Sequence, residues 1–233
     1  MATAKFSGTV FVVDDDPSAR KGLARLMKSA GYAVETFGSA REFLERNTQP
    51  TTAACAVLDL NLPGLNGLDL QKALRATAPP LPIIFLTGHG DVNSSVRAMK
   101  GGAVDFFTKP VNDQELLLAI GQAVERHRKD SVQHAERQEL QQRFELLTTR
   151  EREVMSLVVR GWMNKQVAAE LGTVEKTIKV HRARLIEKMG VQSLADLVRM
   201  AEKLGLFAPD LKDPVQSPPF KLPNQPLPGT RPG

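Results

Sequence analysis

The side chains best suited to chemistry fall in short clusters along the first half of the chain: Asp14-Asp15-Asp16, Asp59, Thr87 and Lys109. Each follows directly on an apolar run. Carboxylates that converge on one place repel each other, and an uncompensated cluster is costly, so a divalent cation is the natural neutraliser. Oxygen ligands, few of them from protein, favour Mg²⁺, which keeps several waters and shares phosphoryl oxygens. A lysine and a threonine hydroxyl at the same edge complete a cradle for a phosphoryl group. Asp59 alone is ambiguous, because an Asx turn at a strand end uses the same residue type.

The elements that must position these groups are legible from pattern. Thr9-Val-Phe-Val-Val13 is β-branched and aromatic, which predicts a buried strand. Pro17 suits the first turn of a helix, and the acids before it suit that helix's positive end. Leu23, Leu26 and Met27 continue its apolar face to Gly31, a C-cap. A short strand over 32–37 and a helix capped by Ser39 follow. The run Ala54-Cys-Ala-Val-Leu-Asp59 is long enough for one buried strand, and Pro63, Gly64 and Gly67 make the turn after it. A helix over 68–78 precedes Pro79-Pro80, and a strand over 83–86 leads to Thr87. A helix over 92–99 ends at Gly101-Gly102, and a strand over 104–107 leads to Lys109. A helix over 112–125 closes the unit. Strands alternating with helices through short connections predict an α/β fold, a five-stranded, doubly wound parallel sheet. Such sheets bind ligands at the carboxyl ends of their strands, where all the clusters stand.

Four blocks, Val-Asp14-Asp15, Leu-Asp59-Leu-Asn61-Leu-Pro63-Gly-Leu-Asn-Gly67, Thr87-Gly-His-Gly and Phe106-Phe-Thr-Lys109-Pro110, arrive in order over residues 9–126. In this the segment resembles the response-regulator receiver domain of two-component signalling. The resemblance implies a flavodoxin-like fold for a domain over 1–126. It implies that Asp59 accepts a phosphoryl group from a cognate sensor histidine kinase. Asp14 and Asp15 would form the acidic pocket with Asp59. Asp15 would be the direct Mg²⁺ ligand, and the backbone carbonyl of Asn61 a further one. Lys109 would pair with the phosphoryl oxygens, Thr87 would turn its hydroxyl to one of them, and Phe106 would be the aromatic switch. The family also carries a cis peptide before the proline of Lys109-Pro110. Bland readings stand beside these: Asp16 as a solvated helix-start charge, Phe107 or Phe106 as plain core, and His89 as a solvated loop histidine.

Composition narrows the setting. No apolar run reaches 18 residues, so no membrane span is expected. The first residues lack a signal-peptide core, and the lone Cys55 sits in an apolar strand as a small hydrophobe. A reducing, cytoplasmic location is the expectation. The net charge of +5 is uneven. Residues 1–126 carry 13 Lys/Arg and 13 Asp/Glu, whereas residues 127–207 carry 15 and 11, so the basic surplus lies in the second half. That is weak support for a polyanionic partner.

Residues 127–146 are charged, Gln-rich and free of Gly and Pro, which predicts a helical linker extending the preceding helix. Its thin stripe, Leu140, Phe144 and Leu147, reads as a solvated spacer or a dimerising stalk. A second domain over 147–207 opens with Thr148 and Glu151, a capping box. Helices are predicted over 149–159, 164–171, 175–189 and 194–204, punctuated by Gly161, Gly172 and Gly190, an all-α four-helix module. The middle pair has helix-turn-helix spacing. In the third helix Val174, Ile178, Leu185 and Met189 form a stripe expected to face the core. The opposite face carries Lys176, Val180, Ala183 and Glu187, flanked by Lys179 and Arg184. A slim face with cations at its flanks suits entry into a major groove.

The blocks Leu147-Thr-Thr-Arg-Glu-Arg-Glu-Val154, Gly161-Trp-Met-Asn-Lys165-Gln-Val-Ala168, Thr177-Ile-Lys179-Val-His181-Arg182 and Ser193-Leu-Ala-Asp-Leu-Val-Arg-Met200 resemble the LuxR-type helix-turn-helix of the NarL/FixJ regulators, closest to the FixJ-like branch. The resemblance places Lys179 and Val180 against double-stranded DNA; Lys176 and Arg184 join them from the helical wheel. Arg182 lies nearer the core stripe and suits a phosphate contact or an internal pair. The last helix would be a dimer surface. Two positions depart from the family: Met163 stands where Ser is usual, and Thr173-Val174 where Ile-Ser is usual. Valine is a poor N-cap, so Thr173 capping one residue earlier is an alternative start for the helix.

Residues 208–233 hold eight prolines in 26 residues and are expected to be a disordered tail. Together these readings give a response regulator, not an enzyme, that accepts a phosphoryl group on Asp59, forms a homodimer, and binds promoter DNA to regulate transcription with RNA polymerase. The rivals are a phosphorylation-independent scaffold, a constitutive DNA-binding protein, and a Mg²⁺-dependent phosphatase on the same fold.

Overall fold

The computed structural model describes residues 7–46, 52–88 and 92–206. His89 and the proline-rich stretch 208–233 lie outside the described residues. The chain divides into two compact units, Met1–Ala135 and Glu136–Gly233.

The first unit is a parallel sheet of five strands: β1 (Thr9–Val13), β2 (Ala33–Phe37), β3 (Ala54–Asp59), β4 (Ile83–Thr87) and β5 (Asp105–Thr108), in the order β2-β1-β3-β4-β5. The helices between them are α1 (Pro17–Ser29), α2 (Ala40–Leu44), α3 (Gly67–Leu74) and α4 (Val92–Lys100); α5 (Asp113–Glu145) follows β5. Alternation of side chains across the sheet builds two cores. Phe11, Val13, Leu58 and Phe85 face α2, α3 and α4 through Phe43, Leu70 and Ala98. Val10, Val12, Val57 and Leu86 face α1 and α5 through Met27, Leu116 and Ile120. Every residue of β3 is buried, as expected for a central strand covered on both faces. Phe106 packs on the first core and Phe107 on the second, so each β5 aromatic has a packing role.

Local chemistry sets the ends of these elements. Asp16 caps α1 by accepting the Ser18 N–H at 2.8 Å, with Pro17 at the first helical position. Ser39 and Asn66 cap α2 and α3 in the same way. α3 stops at Leu74, short of the expected 78. Thr77 folds back on the Leu74 carbonyl with both its N–H (3.2 Å) and its Oγ1 (2.7 Å). The residue before Pro79 is also barred from helical geometry.

The second unit consists of α6 (Thr149–Val158), α7 (Asn164–Glu170), α8 (Glu175–Met189) and α9 (Leu194–Lys203), together with the last turns of α5. Val154, Met155, Val167, Ile178, Leu185, Met189 and Leu197 form its core. Leu140, Phe144 and Leu147 are buried in that same core, so the thin stripe of the linker is neither a solvated spacer nor a free stalk. It is a packed face whose partner lies later in the chain. Arg143 Nη1 donates to the Met189 carbonyl at 3.0 Å, and Lys203 pairs with Glu136 at 2.9 Å, around the same face.

The capping box at the head of α6 forms as expected: the Thr148 N–H donates to Glu151 Oε2 at 2.9 Å, and the Glu151 N–H to Thr148 Oγ1 at 3.3 Å. Glu151 is buried and also accepts from Lys188 Nζ at 2.7 Å. Val174 departs from its expected place in the core stripe. It is the N-cap of α8, with extended backbone (φ −99°, ψ 151°), and its side chain is 64% exposed. Helical periodicity does not apply to a residue outside the helix, so only Ile178, Leu185 and Met189 form the buried stripe.

Candidate functional site

The strand order reverses between β1 and β3, and the crevice beyond their carboxyl ends is where an open α/β sheet binds ligands. Asp14 follows β1 there and Asp59 ends β3. Oxygens of Asp14, Asp15 and Asp59 lie within 4.8 Å of one another, with Asp14 and Asp59 buried and Asp15 exposed.

Each buried carboxylate is held by the same pair of donor types. Asp14 Oδ1 accepts the Asp16 N–H at 2.9 Å, and Asp59 Oδ1 accepts the Asn61 N–H at 2.8 Å. The remaining oxygen of each, Oδ2, accepts from Lys109 Nζ at 2.6 Å. Burial pulls the lysine towards its neutral form, but the hydrogen bonds to Asp14 and Asp59 outweigh it and raise its pKa above 10.5. The ammonium therefore keeps its charge at neutral pH. Lys109 follows β5 directly; its N–H donates to the Thr87 carbonyl at 2.7 Å, and the Lys109–Pro110 peptide is cis.

Thr87 ends β4 and is fully buried, opposite Thr108 of β5. Phe106 is half-buried, its ring centroid 6.4 Å from that of Phe85. The three acids and Lys109 thus form one cluster, with Asn61 bonded to it through its N–H. Arg20 stands outside every motif of the sequence, yet its Nη1 donates to the Asp14 carbonyl at 2.6 Å and secures the backbone at the end of β1. Its place one turn into α1, close behind the acids, is the signal that marks it. Gly67 is more than the turn residue its sequence context suggests. A Cβ there would come 2.6 Å from the Asp59 carbonyl oxygen, so α3 starts pressed against the backbone of Asp59.

A hard cation fits this donor set. The oxygens of Asp14, Asp15 and Asp59 converge, and two of the three carboxylates are already desolvated.

In the second unit α7 and α8 are joined through Gly172, whose φ of 62° closes α7 in the left-handed region. Lys176, Lys179, Val180, Ala183 and Arg184 are all exposed on α8, opposite Ile178 and Leu185. Lys179 pairs with Glu175 at 3.3 Å, a solvated contact that a stronger anion can displace. Arg182 differs from them: it is half-buried and donates to Asn164 Oδ1 at 2.8 Å, tying α8 to the first residue of α7. α8 begins with Val174 as its N-cap and with no side-chain acceptor, so Thr173 does not cap it.

Two family descriptions match the chain: the response regulator receiver domain over residues 10–121, and the luxR family of bacterial regulatory proteins over residues 145–201. Nodulation protein W of Bradyrhizobium diazoefficiens is 52% identical over 205 residues, 88% of this chain and 90% of that protein. Transcriptional regulatory protein FixJ of the same organism is 39% identical over 200 residues, 86% of this chain and 97% of that protein. Among solved structures, response regulator StyR superposes with a TM-score of 0.75 at 47% identity, over 84% of this chain and 98% of that one.

Proposed function

The chain belongs to the NarL/FixJ family of response regulators, a receiver joined to a LuxR-type DNA-binding domain, and on that footing we propose that Asp59 is its phosphoacceptor and α8 its DNA-reading helix. The coarse function is that of a transcriptional response regulator, whose partners are a histidine kinase and DNA. The observation that carries the finer reading is Lys109 Nζ, 2.6 Å from both Asp14 and Asp59 inside a cluster of three carboxylates.

In the proposed step an oxygen of Asp59 attacks the phosphorus of a phosphohistidine donor. The new O–P bond forms as the donor's N–P bond breaks, and the histidine nitrogen leaves with the electron pair. Three features of the chain serve this. The Asn61 N–H fixes the Asp59 carboxylate by holding Oδ1. The Lys109 ammonium, already at Oδ2, stands where negative charge spreads over the transferred oxygens. The Thr87 hydroxyl, at the end of the adjacent strand, donates to one of those oxygens. Asp14, Asp15 and Asp59, with the Asn61 carbonyl, would hold Mg²⁺, which neutralises phosphoryl charge when bound.

Once modified, Asp59 draws Lys109 and Thr87 to the phosphoryl group, and Phe106 follows. The surface around α4 and β5 changes, and the protein dimerises. The dimer presents two copies of α8 to two half-sites of promoter DNA. Lys176, Lys179 and Arg184 face phosphates, and Val180 faces a base edge. RNA polymerase is the downstream partner.

The test is to measure dimerisation and DNA binding with and without beryllofluoride and Mg²⁺, for the native protein and Asp59→Asn. The expected result is a shift of the native protein towards dimer and tighter, salt-sensitive DNA binding, with no response from the variant. Equal DNA binding in all four conditions would make the receiver an interaction module only.

A further inference from the structure

α3 runs from the backbone of Asp59 to the C-terminus of α4, and it grips both ends. At its start, Gly67 leaves no room for a side chain: a Cβ would lie 2.6 Å from the Asp59 carbonyl oxygen and 2.9 Å from Phe85 Cε1. One turn later Gln71 is buried, and its Nε2 donates to the Ala98 carbonyl at 3.0 Å. One turn beyond that, Arg75 Nε donates to the Gly101 carbonyl at 3.0 Å and its Nη2 to the Lys100 carbonyl at 3.4 Å. The Ala98 carbonyl also accepts the Ala103 N–H at 3.1 Å, whereas those of Lys100 and Gly101 lie at the end of α4, where a helix runs out of its own donors.

Among the described residues, α4 adds little buried apolar surface to these ties. Among its described residues only Ala98 is buried, while Val92, Val96 and Met99 are exposed. A helix anchored by one small side chain depends on its polar ties. A buried amide is also a demanding tie, because leaving Gln71 without a partner costs its full desolvation. Gly101 makes space for this arrangement: a Cβ there would lie 2.7 Å from Gln71 Cδ, although its backbone is in no left-handed conformation. The glycine is needed for the amide and not for the turn.

We propose that α3 is a strut, and Gln71 with Arg75 a clamp, that holds α4 in the arrangement of the unmodified receiver, so that phosphorylation of Asp59 works against it. This rests on the phosphoacceptor reading above. Gln71 and Arg75 are positioning residues, acting on α4 from the face of the sheet opposite α5. By linkage, a change that eases α4 out of this arrangement tightens the binding of a phosphoryl mimic by the same factor.

Three variants of the full chain test it from both sides of the contact: Gln71→Leu, which keeps the volume but removes the donor; Arg75→Met, at an exposed site; and Gly101→Ala, which displaces the Gln71 amide with the sequence of α3 unchanged. Beryllofluoride affinity in Mg²⁺ is read by fluorine NMR, and amide exchange is followed across residues 92–100. The expected result is affinity raised roughly fivefold or more, the low end of typical coupling, with exchange accelerated in α4 and unchanged in β1 and β3. Affinity within about twofold of native, or weaker, overturns the clamp, as does exchange that rises evenly through the whole unit. If the native protein itself fails to bind beryllofluoride, the Asp59 reading falls. The clamp then falls as a brake on Asp59, and exchange tells the two failures apart: selective loosening of α4 means that Gln71 and Arg75 hold α4 and only the Asp59 reading was wrong, and unchanged α4 exchange in all three variants overturns the clamp in its own right.

Discussion

Nδ1 of His127 accepts the backbone N–H of Ala54 at 3.1 Å, which ties α5 to the first residue of β3 inside the protein. Ser131 Oγ stands 3.4 Å from the same nitrogen. The bond needs the imidazole neutral at Nδ1. Burial lowers the His127 pKa below 6.5, against a smaller opposing pull from Asp130. A depressed histidine leaves stability intact above its unfolded pKa, and stability is lost as pH falls from about 6.5 through the folded value. The native first unit should therefore melt at a lower temperature at pH 5.5 than at pH 7.5. His127→Leu should cost about 1–3 kcal/mol at pH 7.5, for the Ala54 N–H left unpaired, and should flatten this part of the pH dependence. Parallel pH profiles for the two proteins would refute the assignment.

Val174 caps α8 with no side-chain acceptor. Val174→Ser should supply one and stabilise the second unit by about 1 kcal/mol. The measurement is the thermal transition of that unit; an unchanged midpoint would mean that the hydroxyl finds no helix N–H.

Phe144 is 5% exposed and packs in the second core, with the Arg152 guanidinium 4.9 Å from its ring centroid. Phe144→Ala should destabilise the second unit by about 3–5 kcal/mol, as for other buried aromatics. Chemical denaturation followed by Trp162 fluorescence reports on this unit, which holds the chain's one tryptophan. A loss under about 1 kcal/mol would show that the last turns of α5 are dispensable to it.

Lys179 and Arg182 should fail in different ways. Lys179→Ala removes a solvated cation and should weaken DNA binding at all sequences alike, lowering the salt-dependence slope by about 1. Arg182→Met breaks the bond to Asn164 and should lower the melting temperature of the second unit as well as DNA affinity. Titrations of operator and random duplexes at several salt concentrations separate the two; an Arg182→Met variant with native stability would return Arg182 to the role of a DNA contact.

The course of the chain through its first unit is decided by local pattern. Apolar runs such as Ala54–Asp59, caps such as Asp16 and Ser39, and short connections admit one kind of sheet, and the acids and Lys109 stand at strand ends whatever the packing details. The helices of the second unit follow equally from the Thr148 box and from the glycines that end them. These features are legible because they depend on neighbours a few residues apart.

What only the tertiary structure decided lies between residues far apart in the chain. Lys109 reaches Asp14 across 95 positions and Asp59 across 50, and no local rule gives its Nζ equal 2.6 Å contacts to both. Leu140 and Phe144 look too sparse to matter until α8 and α9 supply the other half of their core. Gln71 reads as an ordinary polar residue on a helix, yet it is buried because the carbonyl of Ala98, 27 positions on, is there to receive it. A side chain's partner, more than its type, decides whether burying it costs or stabilises, and such a partner is fixed only when the chain closes on itself.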